Sequence, residues 1–260
     1  MVNQADAVKL EIIDRIAVVR LNRSAAMNAV NDSIRTGLTR ILKQLNSGEE
    51  ADAIVLTGNG ESAFCAGQDL EEAATIETGN LARWLNRQHA MYQAVRDVTC
   101  PIVAALNGTS VGAGFQIALM CDLRVAHAGI RMGQPEVRAG LASIVGSYLM
   151  SMQIGHSLNQ QLSLTGELIS GERAHEIGLV NDLVPQEKVL ERALQRAREL
   201  AALPHTAFRL TKQRFRERTQ AGFEEACTAG IRYQLECYAS GEPARVMEKF
   251  LAQRQTKRNS

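Results

Sequence analysis

The chain of 260 residues is predicted to adopt an α/β fold with a helical C-terminal part, on three observations. Short runs rich in β-branched residues alternate with stretches whose apolar residues recur at helical spacing. The turns between them concentrate Gly, Asn and Asp. Beyond Pro185 the strand-like runs stop, and helical stretches fill the remainder.

Val8–Ile13 and Ile16–Leu21, separated by Asp14-Arg15, predict a hairpin. Asn31 or Asp32 then caps a helix through Ile34, Leu38, Ile41, Leu42 and Leu45, stopped near Gly48. Ala53–Thr57 is a compact apolar strand ending in Gly58-Asn59-Gly60-Glu61. Pro101–Leu106 is another, ending at Asn107-Gly108, and Asp122–Ala126 and Leu179–Leu183 read as further strands. Strands alternating with helices in this way predict ββα or βαβ units and mainly parallel pairing. Helices are expected at Val189–Leu203, Ala207–Arg218, Phe223–Ala239 and Glu242–Arg254, with breaks at Pro204, Gly222 and Gly241. The expected division is a core over residues 1–200 carrying the site, and a helical region over residues 201–260. No low-complexity linker separates them, so the two should pack together. No repeat of fixed period stands out, although a repeated ββα geometry needs none.

Composition narrows the function. A net charge of +1 with 22% charged residues argues against a nucleic-acid arm or a membrane patch. At 4% aromatic content, a base-stacking platform is not expected. Five cysteines, odd in number and without a CxxC pair, point to a reducing compartment rather than to disulfides or zinc. The scattered histidines show no metal spacing either. Met1–Asp14 carries acids and no apolar core of a signal peptide, and no apolar run approaches a membrane span. A soluble cytoplasmic protein is expected.

Two glycine-containing segments carry the chemistry. One is Phe64-Cys65-Ala66-Gly67-Gln68-Asp69-Leu70, leading into a helix with Asp69 near its cap. The other is Asn107-Gly108-Thr109-Ser110-Val111-Gly112-Ala113-Gly114-Phe115-Gln116, which opens a helix after the Pro101–Leu106 strand. Small residues let a ligand approach the backbone, and the first N–H groups of a helix lack internal partners. Such donors suit an anion or a developing oxyanion. Taken singly, each segment is also ordinary turn chemistry.

Taken in order, AFCAGQDL, PIVAALNGTSVGAGFQIALMCDLRVA, MGQPEVRAGL and LTGELISGERAHEIGLVNDLVP resemble the crotonase family of enoyl-CoA hydratases and isomerases. The resemblance runs from the opening strand pair and Asn28-Ala29-Val30 to the C-terminal helices. It implies a crotonase-like ββα superhelix whose C-terminal helices build a homotrimer, often paired into a hexamer. It also implies acyl-CoA thioester substrates, with coenzyme A as part of the substrate and no metal or redox cofactor. One oxyanion N–H is implied at Gln68 and the other at Ala113, where glycine is usual. Alanine keeps the N–H if its φ is negative. Ala66, Gly67, Asp69, Leu70, Gly112 and Gly114 are implied around the thioester.

Proton transfer beside a thioester carbonyl needs a carboxylate in reach of the carbon-bound hydrogen. Glu136, in Gly133-Gln134-Pro135-Glu136, matches one of the two glutamates of the family's hydratases. The other position holds Gln116, an amide that cannot take up and return a proton near neutral pH. One glutamate suffices to move a double bond from the 3,4 to the 2,3 position, so the resemblance favours a 3-enoyl-CoA to 2-enoyl-CoA isomerase. A hydratase is the alternative, and a non-catalytic acyl-CoA- or RNA-binding relative a more distant one. The aspartate that dienoyl isomerases and dehalogenases place eight residues beyond Glu136 is here Ile144. Coenzyme A phosphates call for cations, and the candidates are Arg23, Lys249 and Arg254. Gln253 stands where the family has a lysine reaching a neighbouring subunit. Trp84 and Tyr92 are read as lid or core packing, and Leu141–Met152 as pocket lining or core.

Overall fold

The computed structural model describes residues 7–249. Strands β1 (Val8–Ile13) and β2 (Ile16–Leu21) form the expected hairpin. Asp14 and Arg15, both at positive φ, make its two-residue turn. Helix α1 (Asp32–Ser47) follows; Asn31 is its cap, accepting from the Ile34 N–H at 3.1 Å, and the five predicted apolar residues face inward.

The next stretch repeats one device. Strand β3 (Ala53–Gly58) is followed by the three-residue β4 (Ala63–Cys65), then by α2 (Leu70–Ala73) and α3 (Thr78–Arg96). Strand β5 (Ile102–Leu106) is followed by β6 (Thr109–Val111) and α4 (Ala113–Met120). Strand β7 (Leu123–Ala126) is followed by β8 (Arg131–Gly133) and α5 (Val145–Ser151). Helix α6 (His156–Thr165), β9 (Leu168–Ser170), α7 (Gly171–Glu176), β10 (Asp182–Leu183), α8 (Val189–Ala201) and α9 (His205–Ala239) complete the order. Each ββα unit sends its first strand to a large sheet, β1-β2-β3-β5-β7-β10, parallel except for the hairpin. It sends its second to a small sheet, β4-β6-β8-β9, where β4, β6 and β8 run parallel.

Both faces of the large sheet are covered, which explains strands that read as continuous apolar runs. Ile54, Leu56, Ile102, Ala104 and Leu106 face the main core with α1, α3 and α4. Their alternates Ala53, Val55, Val103 and Ala105 face α8 through Val189, Ala193 and Ala197.

The structure departs from expectation at three places. Only Asp182–Leu183 of the predicted Leu179–Leu183 strand pairs with β7, while Leu179 and Val180 turn into the core. The three-residue strands of the small sheet are too short to alternate visibly. Gly222 does not break α9: a Cβ there would lie 2.7 Å from the Tyr148 hydroxyl, so glycine serves the crossing of α9 over α5. Tyr148 donates to the Thr219 carbonyl at 2.7 Å across that crossing. Of the expected final helix, residues 242–249 are helical, and Arg254 and Gln253 lie outside the described residues.

Candidate active site

Because β4, β6 and β8 are adjacent and parallel, the residues following each emerge at one edge. Those residues are Ala66-Gly67-Gln68, Gly112-Ala113 and Gln134-Pro135-Glu136. A Cβ on Gly67, at φ +96°, would lie 3.1 Å from the Val111 carbonyl oxygen and 3.8 Å from the Ala113 nitrogen. A Cβ on Gly112, at φ +52°, would lie 3.2 Å from Glu136 Oε1. Both glycines therefore hold conformations that other residues resist, where the three chain segments nearly touch.

The backbone pattern leaves two donors free. Gln68 bridges Val30, but the ladder bonds run from the Val30 N–H to the Gly67 carbonyl at 2.8 Å and from the Asp69 N–H to the Val30 carbonyl at 3.0 Å. The Gln68 N–H is outside that ladder. Ala113 is the first residue of α4, has a negative φ, and its N–H has no helical partner. Among the described residues neither N–H has a protein acceptor.

Glu136 opens a 3-10 turn, Glu136–Ala139. It is half-buried: its carboxyl borders the cavity, and dense protein around it desolvates the charged form and pushes it up to about 7. Gln116 Nε2 donates to Glu136 Oε1 at 3.3 Å. The fully buried Gln134 amide satisfies its neighbours best with its nitrogen toward Glu136, donating to Oε2 at 2.6 Å while its oxygen accepts from Gln116 Nε2 at 3.3 Å. Gly146 makes room for it, since a Cβ there would lie 2.2 Å from Gln134 Cδ.

The carboxyl and the free donors share a cavity of about 100 Å³, several times what one water needs. Its wall includes Leu81, Trp84 and Leu85 from α3, Leu141 and Ile144 before α5, and Tyr238 from α9. Trp84 and Tyr92 both line it, as do Leu141 and Val145 from the apolar run, whose Leu149 and Met150 enter the core. Glu136 is the one acid in the wall among the described residues, and no Lys or Arg joins it. His89, also in the wall, is held neutral by burial down to about 4.

The other sequence candidates divide. Asp69 caps α2, accepting from the Glu71 and Glu72 N–H groups at 3.0 and 3.2 Å. Arg23 is drawn inward to it, at 2.8 Å from Asp69 Oδ2 and 2.7 Å from the Ala29 carbonyl. Its guanidinium thus anchors the Gln68 loop. The Ala66 N–H donates to the Met27 carbonyl at 3.0 Å, Leu70 begins α2, and Lys249 is exposed. Gly114 meets protein rather than cavity: a Cβ there would lie 2.2 Å from the Cys65 carbonyl oxygen, which makes it a packing glycine between α4 and β4. Cys65 is buried beside it, its thiol pushed up to about 12. Among the described residues no cluster of His, Cys, Asp or Glu could hold a metal, and no helix is long and apolar enough to cross a membrane.

Two contributors escaped the sequence reading, Gln134 and Gln88. Gln134 leaves only a polar residue in a glycine-flanked turn as its trace. Gln88 had a stronger signal, since it stands on the face of α3 that buries Leu81, Met91, Tyr92 and Val95.

A ββα superhelix with a carboxyl and two free backbone donors on one cavity is the arrangement expected of a crotonase-type acyl-CoA enzyme. Residues 11–259 match the enoyl-CoA hydratase/isomerase family model, and the chain belongs to that family. It is 29% identical over 246 residues to a short-chain-enoyl-CoA hydratase of Clostridium acetobutylicum, covering 94% of each chain. It is 34% identical over 207 residues to an (E)-benzylidenesuccinyl-CoA hydratase of Thauera aromatica, covering 79% of this chain and 80% of the other. Among solved structures, an enoyl-CoA hydratase/isomerase from Mycobacterium paratuberculosis superposes with a TM-score of 0.86 at 24% identity, over 94% of this chain and 98% of that one. That likeness establishes the crotonase fold. An enoyl-CoA hydratase from Bacillus anthracis matches with a TM-score of 0.78 at 27% identity, over 86% and 90%.

Proposed function

We propose that this acyl-CoA enzyme moves the double bond of a 3-enoyl-CoA to the 2,3 position with Glu136 as its single proton carrier. The observation that carries the reading is that, among the described residues, Glu136 is the one carboxyl in the cavity wall, with Gln116 standing 3.3 Å from it. The thioester oxygen accepts from the Gln68 and Ala113 N–H groups. Glu136 takes the proton from C2, the electron pair moves through the enolate onto that oxygen, and Glu136 returns the proton at C4. A base near 7 is ionised often enough to start and acidic enough to give the proton back. Gln134 serves both states, its nitrogen donating to the carboxylate and its oxygen, once turned, accepting from the acid.

Hydration is the second reading, and the similarity to hydratases of Clostridium acetobutylicum and Thauera aromatica favours it. It would need water activated and a proton delivered by one carboxyl. Incubation with a 3-enoyl-CoA, and separately with a 2-enoyl-CoA in water, separates the two. Isomerisation should exceed hydration at least tenfold; fast hydration with negligible isomerisation sinks the proposal.

Assembly into a trimer or hexamer is part of the same proposal. Exposed Leu210 and Phe215 on α9, the latter 70% accessible, support it, and light scattering would decide it.

A further inference from the structure

We infer that the acyl pocket is built for a chain bearing a neutral oxygen function, a hydroxyl or a ketone, in preference to a plain alkyl or a charged one. The inference rests on the reading of this cavity as the acyl site. Gln88 is 2% accessible and lies on the inward face of α3, a position at which neighbouring turns place Leu81, Met91 and Val95. Both atoms of its amide are buried without a partner in good hydrogen-bond distance and angle, although the Tyr92 hydroxyl lies close enough to interact with the amide. Buried amides are normally paired, and each unpaired atom destabilises the fold. An amide kept there facing a cavity is therefore fitted to something that enters the cavity.

Two more groups of the same wall share the property. Ser143 Oγ and Gln234 Oε1 are buried and unpartnered. Gln234 is fixed in orientation, because its nitrogen donates to the Ala142 carbonyl at 2.8 Å and leaves the oxygen as an acceptor. The wall thus offers one amide with donor and acceptor, one hydroxyl and one oriented acceptor. A hydroxyl uses both kinds, and a ketone uses the donors.

Charge excludes the alternatives. Among the described residues a carboxylate-tailed chain would meet no Lys or Arg in the wall, and His89 stays neutral there. A plain alkyl chain would seal the Gln88 amide away from water with its atoms still unpaired.

The test uses saturated ligands, which bind without reacting. Hexanoyl-CoA, its terminal hydroxy analogue and its penultimate oxo analogue would be titrated calorimetrically into the full-length protein. At least one oxygenated ligand should bind about tenfold tighter than hexanoyl-CoA, as expected when a buried amide gains its partner. In Gln88→Leu that ratio should fall to within twofold, through loss on the oxygenated ligand. If Gln88→Leu does not fold, Ser143→Ala should lower the same ratio by a smaller factor. Equal or tighter binding of hexanoyl-CoA by the parent protein overturns the inference, as does equal weakening of all three ligands by Gln88→Leu. Because no turnover is read, a binding preference without isomerisation would retain the pocket inference and remove the isomerase reading. Isomerisation without preference would do the reverse.

Discussion

Two carboxyls at opposite sides of the large sheet are held in opposite ways. Asp182, on the edge strand β10, accepts from Arg196 at 2.6 and 2.7 Å and from Arg192 at 2.9 Å. The Arg196 hydrogen bonds foremost, with Arg192 adding to them, hold it below the usual carboxylate range. Glu136, on the cavity side, is met by the side-chain amides of Gln116 and Gln134 rather than by cations, and burial raises it to about 7. Cations fix a charge in place; neutral donors in a desolvated site support a carboxylate while leaving its proton transferable. The first arrangement stabilises a sheet edge, and the second suits proton shuttling.

The contrast breaks most completely at Glu136→Gln. Exchange of the C2 proton should fall by roughly 10³-fold, within the usual range for a lost general base, while acyl-CoA binding stays close to the parent value. Exchange at the parent rate would show that another group is the base. In the parent enzyme, kcat/KM should fall about tenfold per pH unit below about 7, since the ionised form is the base. Stability runs the other way. A carboxyl whose folded pKa is raised is destabilising once ionised, so the parent should lose stability relative to Glu136→Gln as pH climbs from the ordinary glutamate value through about 7. The gap at pH 8 should be on the order of 3 kcal/mol, read from urea midpoints of both proteins.

Gly146→Ala attacks the same carboxyl indirectly. The added methyl would fall 2.2 Å from Gln134 Cδ, so the amide must leave and Glu136 loses its closest donor. A fall in kcat of about 10- to 100-fold is expected, the cost of a displacement near one ångström. Gly79→Ala, with nothing within 4 Å of its new Cβ, is the control and should leave kcat unchanged. Gln116→Glu comes next. A second carboxyl would sit where Nε2 now lies 3.3 Å from Glu136 Oε1, and two charges that close cannot both form readily. The pH midpoint for isomerisation should rise by about one unit, and hydration should become measurable. An unmoved midpoint would mean that residue 116 does not face the reacting carboxyl.

The large sheet was legible because its strands carry enough β-branched residues to be read locally, from Val8–Ile13 to Ile102–Leu106. The helix over Asp32–Ser47 was legible for the same local reason, a cap followed by apolar residues at helical spacing. The small sheet was not, since Ala63–Cys65, Thr109–Val111 and Arg131–Gly133 have no room to alternate and owe their pairing to distant partners. Gly222 misled because glycine in a helix marks either a stop or a close crossing, and only the position of Tyr148 decides between them. At the site, Gln68, Ala113, Gln116 and Glu136 were found through the resemblance, and the structure brings them to one cavity. Arg23 was read as a ligand for phosphate, yet its place beside Asp69 depends on a fold contact that spacing cannot show.

The smallest effect expected is at Asp182→Asn, which tests the other half of the contrast. Asp182 is 12% accessible, but its partners are 25% and 33% accessible, so water screens the pairs. Glu199 also contacts both arginines, at 3.4 and 3.0 Å, so neither is stranded when the Asp182 charge is removed. The loss should therefore be modest, about 1 kcal/mol. Its pH dependence has a defined sign. A carboxyl whose folded pKa is lowered contributes stability above the ordinary aspartate value and loses it as pH falls through the folded one. Parent and variant should thus differ at pH 7 and converge in acid, with the difference narrowing at high salt. Activity should stay within twofold, because β10 lies at the far edge of the large sheet and its charge is held by fixed partners. A variant as stable as the parent at pH 7 would show that the cluster orders side chains without stabilising the edge; a tenfold loss of activity would mean that this edge and the Glu136 cavity are coupled.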